Sequence, residues 1–324
     1  MIKKVIAVIL VMILPMLSSC GYNNSTTHSM ENKILVQGAD ISFISQTKGV
    51  SYLNSNGTCG TYPNSDDAKA IFGDNLVTII LKNDASVTIY STEKHEPIDS
   101  KYCEDYFIKH QDEGTGNGTI GTYYLLCTFF EEHSRVEDIL YWDNENYAAK
   151  ANGVWYGPLV DNYPEVDFSE TMKIVGADYP EYILKKDGHI TPLSEVGNPL
   201  YRELIEADVA YKDMAVGLND IFLLDKTGKV YSAKTVAVTD WEEVDSFAEG
   251  VQMNLVAIGK EGSIVLQSKG GRLSEETRDW KNIVYAYNGG DYLVCVDKEG
   301  YIIMTSEAAD YFGYTHKDAQ IKIE

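Results

Sequence analysis

Two stretches of the chain read almost alike, and they constrain the fold more than any other feature. LVAIGKEGSIVLQ begins at Leu255, and LVCVDKEGYIIMT begins further along the chain at Leu293. Each is an apolar run, a charged tight turn that ends in glycine, and a second apolar run. Strand-forming residues on both sides of such a turn indicate a β-hairpin, because glycine supplies the positive φ that a tight turn needs.

Further copies of this hairpin appear upstream when the sequence is aligned on the turn glycine. Ala85 and Gly153 are separated by twice the local period, and Asn117-Gly118-Thr119-Ile120 fits a turn between them. Eight turns then recur at intervals of about 35 positions, which indicates a repeat architecture. The predicted turn residues are Gly57, Ala85, Gly118, Gly153, Gly188, Gly228, Gly262 and Gly300.

Amphipathic helical windows are absent, and apolar runs such as TYYLLCTFF from Thr122 are strand-like in composition. Isolated hairpins cannot bury their apolar faces, and a radial arrangement that closes into a ring removes most open strand edges. The sequence therefore predicts an all-β protein, a closed β-propeller over residues 34–324. Seven blades are favoured, and eight are the alternative.

One family shares this pattern of residues. Asp240-Trp241 precede Gly262 by about as much as Asp279-Trp280 precede Gly300. The stretch DWKNIVYAYNGGDYLVCVDKEGYIIM resembles a repeat of the regulator of chromosome condensation family, most clearly over residues 172–305. The resemblance implies a seven-bladed propeller, and bacterial members of that family are often surface or secreted binding proteins. The chain departs from the family in its irregular repeat length and in lacking tryptophan before the early turns.

The N-terminus differs in character from the rest of the chain. Two lysines are followed by an apolar run over residues 5–17, which is too short to span a bilayer. Leu17-Ser18-Ser19-Cys20 resembles the bacterial lipobox, whose cysteine is lipidated and becomes the mature N-terminus. We therefore expect a signal peptide over residues 1–19, a lipid on Cys20, and a flexible polar tether over residues 20–33. The alternative is an ordinary signal peptide with an incidental cysteine.

The formal net charge of −22 limits the classes of partner. Such acidity repels nucleic acids and anionic lipid surfaces, and it attracts cationic partners. We expect no nucleic-acid role, and we expect the lipid on Cys20 to hold the domain at the extracytoplasmic face of the cell membrane.

Four further cysteines follow Cys20. Cys295 aligns with Ala257, which favours a small buried apolar residue at that position. A bridge among Cys59, Cys103 and Cys127 stays open, because spacing does not select a pair. No pair has the CxxC spacing of a metal site.

Motifs for catalysis or cofactor binding are not found. Gly116-x-Gly118-x-x-Gly121 lacks the strand and helix that a dinucleotide site requires. The six histidines are scattered, and the acidic loops lack the spacing of a calcium-binding loop, so calcium binding stays open. We expect no enzymatic activity, no cofactor and no bound metal.

Aromatic residues are the remaining signal, because tyrosine and tryptophan are preferred anchors for partners. Trp241, Trp280, Tyr285 and Tyr287 accompany the two strongest repeats and are the candidate partner contacts. Packing between blades is the competing role, and the more common one for a tryptophan. The sequence predicts a membrane-anchored bacterial lipoprotein that acts as a binding scaffold for a protein. The alternatives are a surface glycan-binding or glycan-processing propeller and an envelope assembly factor.

Overall fold

A computed structural model provides the structure of the protein. It describes residues 26–27, 33–37, 40–45, 49–110, 117–143, 145–176, 179–193, 209–217, 220–233, 237–238, 241, 243–250, 254–267 and 271–313. Within these ranges the protein is mostly β, with short strands arranged in seven small, predominantly antiparallel sheets.

The first three sheets are numbered in chain order, and each consists of strands that follow one another in the chain. Sheet 1 contains β2 (Ile34–Gln37), β3 (Asp40–Ser45), β4 (Gly49–Asn54) and β5 (Cys59–Thr61). Sheet 2 contains β6 (Ala68–Gly73), β7 (Val77–Lys82), β8 (Val87–Ser91) and β9 (Pro97–Ile98). Sheet 3 contains β10 (Val136–Tyr141), β11 (Tyr147–Ala151) and β12 (Val154–Tyr156).

The other four sheets have the same design, and two of them gain a strand at the edge of their first strand. Sheet 4 contains β13 (Thr171–Gly176), β14 (Pro180–Lys185) and β15 (Ile190–Pro192), with β1 (Thr26–Thr27) beside β13. Sheet 5 contains β16 (Tyr211–Val216), β17 (Ile221–Asp225), β18 (Val230–Ser232) and β19 (Ala237–Val238). Sheet 6 contains β20 (Val244–Phe247), β22 (Val256–Gly259) and β23 (Ile264–Leu266). Sheet 7 contains β24 (Ile283–Asn288), β25 (Leu293–Asp297) and β26 (Ile302–Met304), with β21 (Glu249–Gly250) parallel to β24.

Four helices occupy connections between the sheets, and the fifth follows sheet 7. They are α1 (Ser100–His110), α2 (Asn117–Glu132), α3 (Pro158–Asn162), α4 (Arg272–Thr277) and α5 (Ser306–Tyr311). In the part of the chain that the structure describes, none of the helices combines the length and the apolarity needed to cross a membrane.

The core consists of seven apolar clusters, each containing residues from two sheets. Six clusters join consecutive sheets, and the seventh joins sheet 7 to sheet 1 through Val294 and Ile41, among others. The second strand of each sheet is almost continuously buried, as in β7 and β22. A strand becomes buried on both faces when its sheet is covered on both sides, which agrees with the contribution of each sheet to two clusters.

Positive φ recurs at the turns between second and third strands. The turn residues of sheets 2 to 7 are Ala85 (φ 68°), Gly153 (78°), Gly188 (95°), Gly228 (88°), Gly262 (70°) and Gly300 (87°). Four of these turns contact the segment that leads into the first strand of the next sheet. They are the turns at Ala85, Gly188, Gly228 and Gly262. Gly188 O, for example, accepts a hydrogen bond from Tyr211 N over 2.9 Å.

Two of the expected turns need correction. Gly57 has φ 78° but lies between β4 and β5, the third and fourth strands of sheet 1. The equivalent residue in sheet 1 is Gly49, at the start of β4, with φ 72°. Like other turn residues of this set, it packs against the chain just before the next sheet, since a Cβ at Gly49 would lie 2.5 Å from Ser65 O. Gly118 lies in α2, not in a turn.

The expectation that helices are absent was therefore wrong in the region around Gly118. Residues 100–132 contain α1 and α2, and TYYLLCTFF belongs to α2. A short apolar run without period fits a buried helix as well as a strand, so composition alone does not separate them. The segment between Ala85 and Gly153 holds one repeat and this helical hairpin, not two repeats.

The N-terminal region lies mostly outside the described residues. This applies to the expected signal peptide over residues 1–19 and to Cys20. Of the expected tether over residues 20–33, Thr26, Thr27 and Lys33 are described, and the two threonines pair with Ile174 and Lys173 on β13.

Candidate functional site

A pocket of about 260 Å³ lies between sheets 6 and 7. It is lined by Asn254, Val256, Leu266, Arg272, Leu273, Gly290, Asp291 and Glu307. One end of an antiparallel sheet holds the end of the first strand, the start of the second strand and the end of the third strand. Val256, Leu266 and Gly290 occupy or adjoin these positions, so the pocket opens at that end of the two sheets.

The turns that frame the pocket are held together by Asn288, a fully buried residue at the end of β24. Its Nδ2 donates to Asn254 O over 2.9 Å, and its Oδ1 accepts from Gly290 N over 3.0 Å. One amide side chain thus fixes the first turn of sheet 7 against the first turn of sheet 6. Both of its polar groups are satisfied, as burial demands.

Arg272, at the start of α4, is the cation of the pocket. Its Nε donates to Glu276 Oε1 over 2.9 Å, and its Nη1 donates to Glu307 Oε1 over 2.9 Å. Hydrogen bonding to Glu276 and the charge of Glu307 raise the pKa of Arg272 above its ordinary value. The arginine is therefore permanently charged and already paired on two sides.

The carboxylate of Glu276 fastens α4 to α5. Its Oε2 accepts a hydrogen bond from Ser306 N over 2.7 Å. Burial works against the charged form, but the bonds from Ser306 and Arg272 outweigh it, so the pKa of Glu276 lies below its ordinary value. The two helices that border the pocket are thus joined by charge-assisted bonds.

Asp291 is exposed on the turn between β24 and β25 and forms no ion pair among the described residues. With Glu307 and Arg272 it gives the lining two carboxylates and one guanidinium, a net charge of −1. Val256, Leu266 and Leu273 supply apolar wall. Such a lining suits a group with an aliphatic stem and a cationic head, because the stem packs on apolar surface while the head meets a carboxylate.

The four aromatic residues predicted from sequence do not form one loop surface. Trp241 is 6% exposed and packs in the cluster between sheets 5 and 6, and Trp280 is half-buried against the cluster between sheets 6 and 7. Tyr285 and Tyr287 lie on strand β24, half-buried against the cluster between sheets 7 and 1. For both tryptophans, the contacts described are packing contacts.

Tyr285 and Tyr287 do not line the pocket, because their side chains pack on the opposite face of sheet 7, toward sheet 1. Tyr285 Oη donates to Glu249 Oε2 over 2.9 Å, and a Cβ added to Gly250 would lie 2.7 Å from the Tyr287 ring. Burial is the main cause that raises the pKa of Tyr287 to about 12. Asn288, which holds the pocket turns, is the next residue after Tyr287.

The remaining sequence predictions concern cysteines and metals. Cys295 is fully buried in the cluster between sheets 6 and 7, which confirms the prediction of a small apolar role. In the ranges that the structure describes, no three His, Cys, Asp or Glu side chains are grouped to hold a metal ion.

Sequence reasoning missed the pocket residues Arg272, Asp291 and Glu307. The one local signal is the i,i+4 spacing of Arg272 and Glu276, which is typical of an ion pair on a helix. Asp291 and Glu307 come from separate connections, and only the packing of sheets 6 and 7 brings them together.

Comparison with known proteins shows no matching family model and no matching curated protein. Solved structures with a similar layout include the computationally designed Ika8 protein, 11% identical over 88% of this chain and 84% of that one, with a TM-score of 0.42. Prp20p from Saccharomyces cerevisiae is 10% identical over 90% and 75%, with a TM-score of 0.33. BamB from Moraxella catarrhalis is 10% identical over 93% and 90%, with a TM-score of 0.36.

Proposed function

We propose that the seven sheets are the blades of one closed β-propeller. The support is the cyclic order of the seven core clusters, in which each sheet shares one cluster with each of two neighbours. Sheet 7 packs against sheet 1 through a shared cluster, so the proposed ring has no gap between its first and last blades. Gly49 supplies the turn of the first blade, so seven turns account for seven blades.

We further propose that the chain is an extracytoplasmic lipoprotein anchored to the cell membrane through Cys20. The support is the sequence MIKKVIAVILVMILPMLSSC, with its short apolar run and its cysteine at the expected cleavage position. The propeller is then presented at the extracytoplasmic face.

The proposed activity is non-catalytic binding of a protein partner through a cationic side chain. The observation that carries this proposal is the pocket between sheets 6 and 7, where Asp291 lies beside the apolar wall and has no ion-pair partner among the described residues. A pocket of about 260 Å³ suits one side chain better than a large ligand. The net charge of −22 adds long-range attraction for a basic partner.

A fluorescent lysine-containing peptide serves as the probe, with the same peptide acetylated on its lysines as the comparison. The full-length protein should bind the first and not the second, because acetylation removes the charge. The double variant Asp291→Asn/Glu307→Gln should weaken binding by about tenfold or more. Added salt should slow association, since steering by charge is screened.

The matched control is Asp66→Asn/Glu165→Gln, which changes the net charge equally at exposed positions outside the pocket lining. It should leave affinity for the lysine peptide nearly unchanged. Tyr287→Ala tests the partner contact predicted from sequence, and it should leave binding to the pocket nearly unchanged, because Tyr287 packs between sheets 7 and 1. Equal losses in the two double variants would assign the attraction to net charge alone and remove the pocket from the proposal.

A partner in the living cell is sought by proximity labelling from the anchored protein at the cell surface. Labelled proteins that depend on Asp291 and Glu307 support the proposal. Recovery of glycans in place of proteins, unaffected by these substitutions, would favour a glycan-binding propeller instead.

A further inference from the structure

Two cysteines face each other in the helical hairpin between sheets 2 and 3. Cys103 lies in α1 and Cys127 in α2, and they are 1% and 2% exposed within the cluster that joins those sheets. The other described cysteines lie elsewhere, with Cys59 exposed on β5 and Cys295 buried between sheets 6 and 7.

The register of the two helices sets this pair. Ser100 N donates to Glu131 Oε1 over 2.9 Å, and Ser100 Oγ donates to Glu131 Oε2 over 2.7 Å. In an antiparallel helix pair, one turn forward in the first helix faces one turn back in the second. Cys103 lies about one helical turn after Ser100, and Cys127 lies about one turn before Glu131. The two cysteines therefore face each other.

The contacts of the sulfur atoms agree with this register. The two thiols are in hydrogen-bonding contact with each other. Cys127 Sγ also lies 3.8 Å from Ile98 O, immediately before α1 begins. Both cysteines are free thiols in the structure. Their side chains meet in the core, as a disulfide requires.

We propose that Cys103 and Cys127 form a disulfide bond that fastens α1 to α2. The oxidant is a low-molecular-weight or protein disulfide. The thiolate of one cysteine attacks a sulfur of the oxidant and releases one of its thiols, leaving a mixed disulfide. The second cysteine, as thiolate, then displaces the other half. Overall two protein thiols lose two electrons and two protons, and the oxidant disulfide becomes two thiols.

The two thiols differ in acidity in the folded protein. The hydrogen bond from Cys127 lowers the pKa of the Cys103 thiol and outweighs its burial, while the same bond raises the pKa of Cys127. Thiolate is the nucleophile in exchange, so Cys103 is the more reactive of the two in the folded protein. Because both sulfurs are buried in the folded protein, the reaction is expected to take place while the chain folds.

The test uses the reduced full-length protein, unfolded and then refolded with glutathione disulfide or with reduced glutathione alone. After free thiols are alkylated, the protein is digested without reductant, and the peptides are identified by mass. The expected product with glutathione disulfide is one linked pair of peptides that contains Cys103 and Cys127. The oxidised protein should also melt at a higher temperature, and a reductant should reverse this shift.

Cys59→Ser and Cys295→Ala are the matched controls, and both should keep the linked peptides. Cys103→Ala should lose the linked peptides and the effect of reductant on melting. One result would overturn the proposal. It is a wild-type protein, shown by circular dichroism to have refolded, in which Cys103 and Cys127 are both alkylated or either is linked to Cys59. The peptide measurement is made on the wild type, so it stands even if a variant folds poorly.

Discussion

Lys173 on β13 donates to the carboxylate of Asp213 on β16 over 2.9 Å, and this buried ion pair joins the first strands of sheets 4 and 5. The other oxygen of Asp213 accepts from Phe247 N on β20 over 2.7 Å. One carboxylate therefore links three consecutive sheets at their first strands. Buried charges are tolerated only when they are paired and hydrogen-bonded, and Asp213 meets both conditions.

Asp213→Ala is expected to lower the free energy of unfolding by about 3 to 5 kcal/mol, because it leaves the buried ammonium of Lys173 without a partner. Urea denaturation measures the loss. Glu170→Ala is the matched control, since Glu170 pairs with Lys186 at 3.3 Å on the surface. It should cost about 0 to 1 kcal/mol. Similar losses in the two variants would contradict the structural role given to Asp213.

The buried carboxyl group of Asp74 is expected to make the free energy of unfolding depend on pH. Asp74 is 4% exposed and accepts hydrogen bonds from Leu76 N over 2.8 Å and from the Tyr141 hydroxyl over 2.8 Å. Burial raises its pKa above the ordinary value of 3.8, despite these bonds. The folded state then holds the proton more tightly than the unfolded state. Its contribution to stability is complete below about pH 3.8 and is lost as the pH rises through the folded pKa.

Asp74→Asn is therefore expected to gain stability relative to the wild type as the pH rises above about 4. The measurement is urea denaturation of both proteins from acidic to neutral pH. Asp84→Asn is a control of opposite sign, because a hydrogen bond from the Ser86 hydroxyl lowers the pKa of exposed Asp84. That variant should lose stability relative to the wild type as the pH rises. A stability difference for Asp74→Asn that is independent of pH would contradict the argument.

Gly262→Val tests the turns that face the next sheet. Its φ is 70°, and a Cβ would lie 2.2 Å from Ile283 N, so the substitution combines strain with a clash against backbone. Strain alone costs roughly 1 to 3 kcal/mol, and the clash adds to it. Gly153→Val has a similar φ of 78° and no atom within 4 Å of the added Cβ. Its loss in urea denaturation should be clearly smaller, and equal losses would refute the packing of Gly262 against sheet 7.

Cys20→Ser tests the proposed anchor. The serine variant has no thiol to accept a lipid, so metabolic labelling with a fatty-acid analogue should fall to background. The variant should accumulate as a precursor or appear in the medium. Mutation of Cys59 to serine provides the comparison, and its labelling should match the wild type. Unchanged labelling of the Cys20 variant would end the lipoprotein proposal.

The hairpin repeat was predictable because its signal is local. Asp, Asn or Glu within the few residues before the turn residue, between two strand-like runs, marks these turns. Six of the aligned residues, Ala85 among them, have positive φ between second and third strands. Gly49 was missed because SQTKG has no Asp, Asn or Glu before its glycine, whereas each of the other turns has one. Alignment then shifted to Gly57, the next glycine turn, which belongs to the following hairpin.

The helical hairpin and the pocket were not predictable by the same reasoning. The run that contains Leu126 and Cys127 is apolar without a clear period, so the choice of helix depends on its packing between sheets 2 and 3. Arg272, Asp291 and Glu307 meet through three separate connections. Such a site carries no local motif, because its geometry exists only after the sheets have packed.

The cluster between sheets 7 and 1 joins residues that are synthesised at very different times. Ile41 and Leu53 share this cluster with Val294 and Phe312, which come from the other end of the chain. A ribosome therefore releases Ile41 long before it has made the residues that cover it. Contacts of such long range form slowly, because a large loop must close first. The surface of sheet 1 that faces sheet 7 stays uncovered during synthesis, and the last sheet made completes the burial of the first.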